Sequence, residues 1–116
     1  MAYSELIRNF EKIKKIRLML EYNTYCVWLY DENDEIIDND NPPEWDDDQQ
    51  LTDAFMAVSD LYDTFFIDNK QEFRYVGCPN DETRQKLISL ITAAVDIITQ
   101  KNQGKYIIQN DISCDF

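Results

Sequence analysis

Asp31, Asn33 and Glu35 set side-chain oxygens at every second position, the spacing with which a calcium loop begins. The chemistry would be oxygen coordination of a hard cation. The frame fails where the loop must turn and where it must close. Its sixth position is Ile36 instead of Gly, and its twelfth is Pro42 instead of Glu. A frame started at Asp38 meets Pro42 at its fifth position and Gln49 at its twelfth. Neither frame keeps a calcium site.

Other reactive chemistries lack their residue types. The chain has no His, which removes the commonest general base and every His-based triad. Cys26, Cys78 and Cys114 stand far apart in sequence with no CxxC pair, so they form no zinc motif. Their odd number does not fit a disulfide framework, and buried structural thiols are expected. Gly77 and Gly104 are isolated, so no glycine loop cradles a phosphate. A carboxylate pair could hydrolyse a glycoside, but nothing distinguishes two acids among 23. The expectation is no enzyme, no catalytic residue, no metal and no cofactor.

What remains is charge. From Asp31 to Asn69 the chain carries acids and not one Lys or Arg, within a formal net charge of −12. Ten of those acids lie between Asp31 and Asp48: Asp31, Glu32, Asp34, Glu35, Asp38, Asp40, Glu44, Asp46, Asp47 and Asp48. The first 21 residues, in contrast, are mildly basic through Arg8, Lys12, Lys14, Lys15 and Arg17. So much charge of one sign costs self-repulsion in the fold. Binding to nucleic acid or to anionic lipid is disfavoured. A basic protein is the natural counterpart. The bland alternative is a solvated face that keeps a small protein soluble.

Two roles suit Trp45, within Pro42-Pro43-Glu44-Trp45. It could staple the loop to the helix that follows, against Leu51 or nearby. It could instead anchor an interface from a stiff proline ledge, with Tyr30 as a second anchor. Trp28 belongs to the core, and Arg74 to an internal ion pair.

These residues need elements to hold them. The chain reads as one α+β domain spanning 1–116, ordered α-β-β-α-β-α-β, with a sheet of about four mainly antiparallel strands and helices packed on it. Leu6, Phe10, Ile13, Ile16 and Leu20 predict a helix over 3–21. A central strand over 25–30 follows, then a turn at Glu32–Glu35 and a short strand from Ile36. Residues 38–48 must be a loop, because the paired prolines forbid helix before them. One of the three aspartates Asp46–Asp48, with Asp46 or Asp47 preferred, is expected to cap the next helix, which runs to about Phe66 on a stripe of Leu51, Phe55, Val58, Tyr62 and Phe65. Phe73–Cys78 is a third strand. Asn80 caps a helix with Leu87, Ile91, Ala94, Val95 and Ile98 inside, and Gly104 stops it. A last strand runs from Tyr106 to about Ile112. Met1 leads into Ser4-Glu5-Leu6 rather than a signal peptide, so a cytoplasmic protein with reduced thiols is expected.

The run Leu29-Tyr30-Asp31-Glu32-Asn33-Asp34-Glu35-Ile36-Ile37-Asp38-Asn39-Asp40-Asn41-Pro42-Pro43-Glu44-Trp45, with the size and charge of the chain, resembles the small acidic immunity proteins of bacterial toxin–immunity pairs. The resemblance implies a stoichiometric inhibitor, in the bacterial cytoplasm, that covers the basic cleft of a toxin. The acids listed above would form the contact surface. One rival is a nucleic-acid mimic of phage or mobile-element origin, of the anti-CRISPR or antirestriction type. Another is a non-catalytic adaptor or structural subunit that forms a homodimer.

Overall fold

The computed structural model describes residues 12–116. Four strands form one sheet: β1 (Lys15–Leu18), β2 (Val27–Tyr30), β3 (Ile36–Asp38) and β6 (Ile107–Asn110), in the order β3-β2-β1-β6. β1 pairs antiparallel with β2, and β2 with β3. β6 lies parallel to β1, with Ile16 opposite Ile108. A separate hairpin joins β4 (Phe66–Asp68) to β5 (Phe73–Tyr75). Two helices complete the described residues, α1 (Gln49–Asp63) and α2 (Asp81–Asn102). The architecture is α+β, as the sequence predicts. The sheet is mixed, since β6 runs parallel to its neighbour.

Alternation along β1 explains the layering. Ile16 and Leu18 face the core, opposite Leu29 and Val27, while Lys15 and Arg17 point to the other side of the sheet. Both helices bring their apolar stripes to the Ile16 side. Leu51, Phe55 and Val58 of α1 join Leu87, Ile91, Ala94 and Ile98 of α2 in a single cluster with the strands. Each fully buried Leu, Ile, Val or Phe side chain among them contributes about 1.5–3 kcal/mol relative to exposure. No helix among the described residues is long and apolar enough to cross a membrane.

Four expectations are corrected. Residues 3–11 of the expected first helix lie outside the described residues, and Lys15–Leu18 is a strand. The spacing of Ile13, Ile16 and Leu20 fits a helix, but Ile16 and Leu18 also alternate. Pairing on both edges, with β2 and β6, decides for strand. Helix α1 ends at Asp63, and the expected helical residue Phe66 opens β4. The strand at Phe73 belongs to the small hairpin, not to the main sheet. The cap of α1 is Asp48, whose carboxylate accepts from the Leu51 N–H at 2.9 Å. A 3₁₀ turn over Pro43–Trp45 precedes it, within the stretch expected as loop. Its hydrogen bonds run on from Trp45 N–H to Pro42 and from Asp48 N–H to Trp45, so the cap falls on Asp48.

The second helix follows its sequence signals closely. Asn80 accepts from the Thr83 N–H at 2.8 Å, and Asp81 and Glu82 fill the first turn. Gln103 and Gly104 both take positive φ at its end, so Gly104 shares the stop with a residue that has a side chain.

Candidate functional site

The hairpin between β2 and β3 is built by Asp31. Its carboxylate accepts from the N–H groups of Asn33 at 2.8 Å and Glu35 at 3.0 Å. That local bond set turns the chain, with Asp34 at φ 60°. Asp31 therefore serves the turn. Asp34 pairs with Lys15 at 2.8 Å, and Lys15 holds its carboxyl below the usual aspartate range. Glu32 and Glu35 are exposed.

Beyond β3 the run Asp38-Asn39-Asp40-Asn41 alternates in space as it does in sequence. The two aspartates face solvent while the two asparagines turn inward. The Asn39 amide donates to the carbonyls of Tyr25 at 2.7 Å and Val27 at 2.9 Å, and its oxygen accepts from the Tyr25 N–H at 3.1 Å. Asn39 thus satisfies β2 where β3 has ended. Asn41 is buried, accepts from the Tyr25 hydroxyl at 2.8 Å and donates to Thr52 of α1 at 3.1 Å. The acidic loop is therefore fastened to both the sheet and the helix.

Glu44 and Asp48 are tied down within the molecule. The Tyr106 hydroxyl donates to Glu44, and Lys105 pairs with it at 2.6 Å. Burial pushes the Glu44 carboxyl up, but those two donors, a backbone N–H and the Lys105 charge together outweigh it and the net shift is downward. Asp48 pairs with Lys101, from the last turn of α2. Lys101 and the helix N–H groups hold its carboxyl below the usual range.

Asp38, Asp40, Asp46 and Asp47 are different. They are exposed, and none forms an ion pair among the described residues. Partial loss of hydration, then repulsion from Asp40, Asp47 and Asp38, pushes the Asp46 carboxyl above the usual aspartate range. Among the described residues, these like charges have no ion-pair partner. Among the described residues no three His, Cys, Asp or Glu are set to hold a metal ion.

Neither expected aromatic anchor is at the surface. Trp45 is 9% exposed and packs edge-on to Tyr106, with ring centroids 5.8 Å apart. The 3₁₀ turn rolls its ring inward, so it belongs to the core and staples the loop. Tyr30 is 6% exposed, with the Lys15 ammonium 5.1 Å from its ring centre and the Arg17 guanidinium 3.4 Å from its hydroxyl. Its own strand neighbours cover it. Trp28, expected in the core, is half-buried, and its indole N–H is enclosed without a hydrogen-bond partner among the described residues. Arg74 does form an ion pair, with Glu72 at 3.0 Å on the exposed hairpin.

A feature that sequence reasoning missed lies at the far end of α1. Tyr22, Tyr62, Phe66, Phe73 and Tyr75 pack as one aromatic group, with Phe66 stacked on Phe73 at 5.7 Å. Phe73 is 57% exposed and Tyr75 46%. Beside them opens a groove of about 510 Å³ between the hairpin, α1 and the residues after β6. The signal available in sequence was the density of Phe and Tyr over residues 62–75. No family model, curated protein or solved structure matches the chain.

Proposed function

We propose that this protein is a non-catalytic, stoichiometric binder of a cationic protein surface, acting as a bacterial immunity protein that blocks a toxin by covering its basic cleft. One observation carries the reading: Asp38, Asp40, Asp46 and Asp47 are exposed and form no ion pair among the described residues, while loss of hydration, then Asp40, Asp47 and Asp38, raises the Asp46 carboxyl. The fold neutralises Asp34, Glu44 and Asp48 with its own lysines. Among the described residues, no lysine or arginine pairs with Asp38, Asp40, Asp46 or Asp47. Repulsion within such a group costs stability, and a positive partner relieves it. The contact surface is therefore narrower than the whole acidic stretch.

Mechanistically, the carboxylates steer association, to about 10⁸ M⁻¹s⁻¹ at low salt. Desolvated contact must come from elsewhere, because Trp45 and Tyr30 are turned inward. The test is affinity capture from the native host with a salt-gradient elution. The wild-type chain should retain a basic protein that moderate salt releases. A variant with Asp38, Asp40, Asp46 and Asp47 all changed to Asn should lose it while remaining folded. Equal retention by the variant at the same salt would overturn the reading.

A further inference from the structure

The groove beside the β4–β5 hairpin is walled by Tyr62, Phe66, Tyr75 and Phe116. Three carboxylates line it as well: Glu21, Asp111 and Asp115. The cation lining it among the described residues, Arg17, is taken by an ion pair with Asp111, which also accepts from Gln109 at 2.6 Å. Glu21 and Asp115 form no ion pair among the described residues. The lining therefore carries excess negative charge around aromatic faces. Burial first, and then Tyr75, Asp63 and Glu21, raise the pKa of the Tyr62 phenol. Outside the lining, the Arg84 guanidinium lies 5.8 Å from the ring centre of Phe116, so one of the groove's aromatic residues already carries a cation.

We infer that this groove is a binding site for an arginine or lysine side chain presented by a protein partner. The aliphatic stem would lie along Phe66 and Tyr75, and the charged head would meet Glu21 and Asp115 across the aromatic faces. The charge of the lining selects a cation, and the aromatic walls select a long stem over a bare ion. This rests on the reading of a cationic partner and gives it the apolar contact that the acidic loop lacks. The two surfaces lie at opposite ends of α1, a helix of 15 residues and so about 22 Å long.

The experiment needs no partner. Acetyl-Phe-Arg-amide is titrated into the full-length ¹⁵N-labelled protein, with acetyl-Phe-Glu-amide as the control of opposite charge. The Arg probe should move the amides of Glu21, Tyr62, Tyr75 and Ser113, with a dissociation constant on the order of 1 mM. The Glu probe should leave them in place. Tyr75→Ala, at a half-exposed position, should weaken the Arg probe about fivefold. Glu21→Gln with Asp115→Asn should weaken it and flatten its salt dependence. Equal shifts with both probes would overturn the site. Shifts confined to Asp38–Asp47 would overturn it too, while leaving the acidic-loop reading standing.

Discussion

The buried side chain of Asn41 accepts a hydrogen bond from the Tyr25 hydroxyl at 2.8 Å and so ties the acidic loop to the residues leading into β2. Neutral amides hold the middle of the loop, while Glu44 and Asp48 fasten its end to Lys105, Tyr106 and Lys101. Asn41→Ala leaves the Tyr25 hydroxyl and Thr52 without their partner. It should cost about 1–3 kcal/mol in urea unfolding, the usual range for orphaning a buried polar group. Asn41→Asp should be worse, because it places another charge in a buried position within the acidic loop.

Alkaline pH should weaken the fold. Burial pushes the Tyr25 phenol up to about 12 and the Cys26 thiol up to about 11. Both are neutral in the folded chain where the unfolded chain ionises. Their stabilisation is complete below the ordinary values of 9 and 10, and is lost as pH rises through the folded ones. Thermal midpoints measured across that range should fall. Cys26 should also resist iodoacetamide until the protein is denatured, whereas the half-buried Cys78 and Cys114 react in the native state.

Acid should act on the ion pair between Asp48 and Lys101. The Asp48 carboxyl is held low, so its contribution is present above the ordinary aspartate range and is lost as pH falls through the folded value. Lys101→Met should be less stable than wild type at neutral pH and converge with it in acid. A difference that persists unchanged in acid would assign the loss to packing instead of charge.

Trp45→Ala should be a stability variant before it is a binding variant. Removing a nearly buried indole that packs on Tyr106 costs about 3–5 kcal/mol. Trp45→Phe should cost less and leave partner retention intact. Loss of partner from the folded Phe variant would return the residue to the interface.

Asp46→Asn should move stability and binding in opposite directions. Its carboxyl is pushed up by partial loss of hydration and then by Asp40, Asp47 and Asp38, so its charge is unfavourable in the fold above that raised value. Removing the charge should stabilise the protein by less than about 1 kcal/mol, since the group is exposed. The same change should slow association with the captured partner at low salt.

Side chains with one possible environment were legible in the sequence. Leu51, Phe55 and Val58, and Leu87, Ile91, Ala94 and Ile98, recur at helical spacing and are buried as that spacing requires. The strand over Val27–Tyr30 and the turn after it were also readable. Lys15–Leu18 was not, because four residues of alternation fit inside a longer helical pattern. Its strand character comes from β2 and β6, and the latter lies some ninety positions away in the chain. The acidic patch was readable as composition, but its division was not. Which carboxylates meet Lys15, Lys101 and Lys105 depends on tertiary approach. So does the inward roll of Trp45, set by a 3₁₀ turn that the two prolines permit without specifying. The groove eluded sequence reading for the same reason: its walls come from residues 17–21, 62–75 and 111–116.

The parallel ladder between β1 and β6 has a consequence for biosynthesis. Ile16 leaves the ribosome long before its neighbour Ile108 has been translated, a delay of roughly 5–20 seconds at ordinary elongation rates. Until then the middle strand of the nascent chain has one open edge. Completion of the sheet is therefore a late event, and a chain stalled after α2 would present that edge to the first strand it meets.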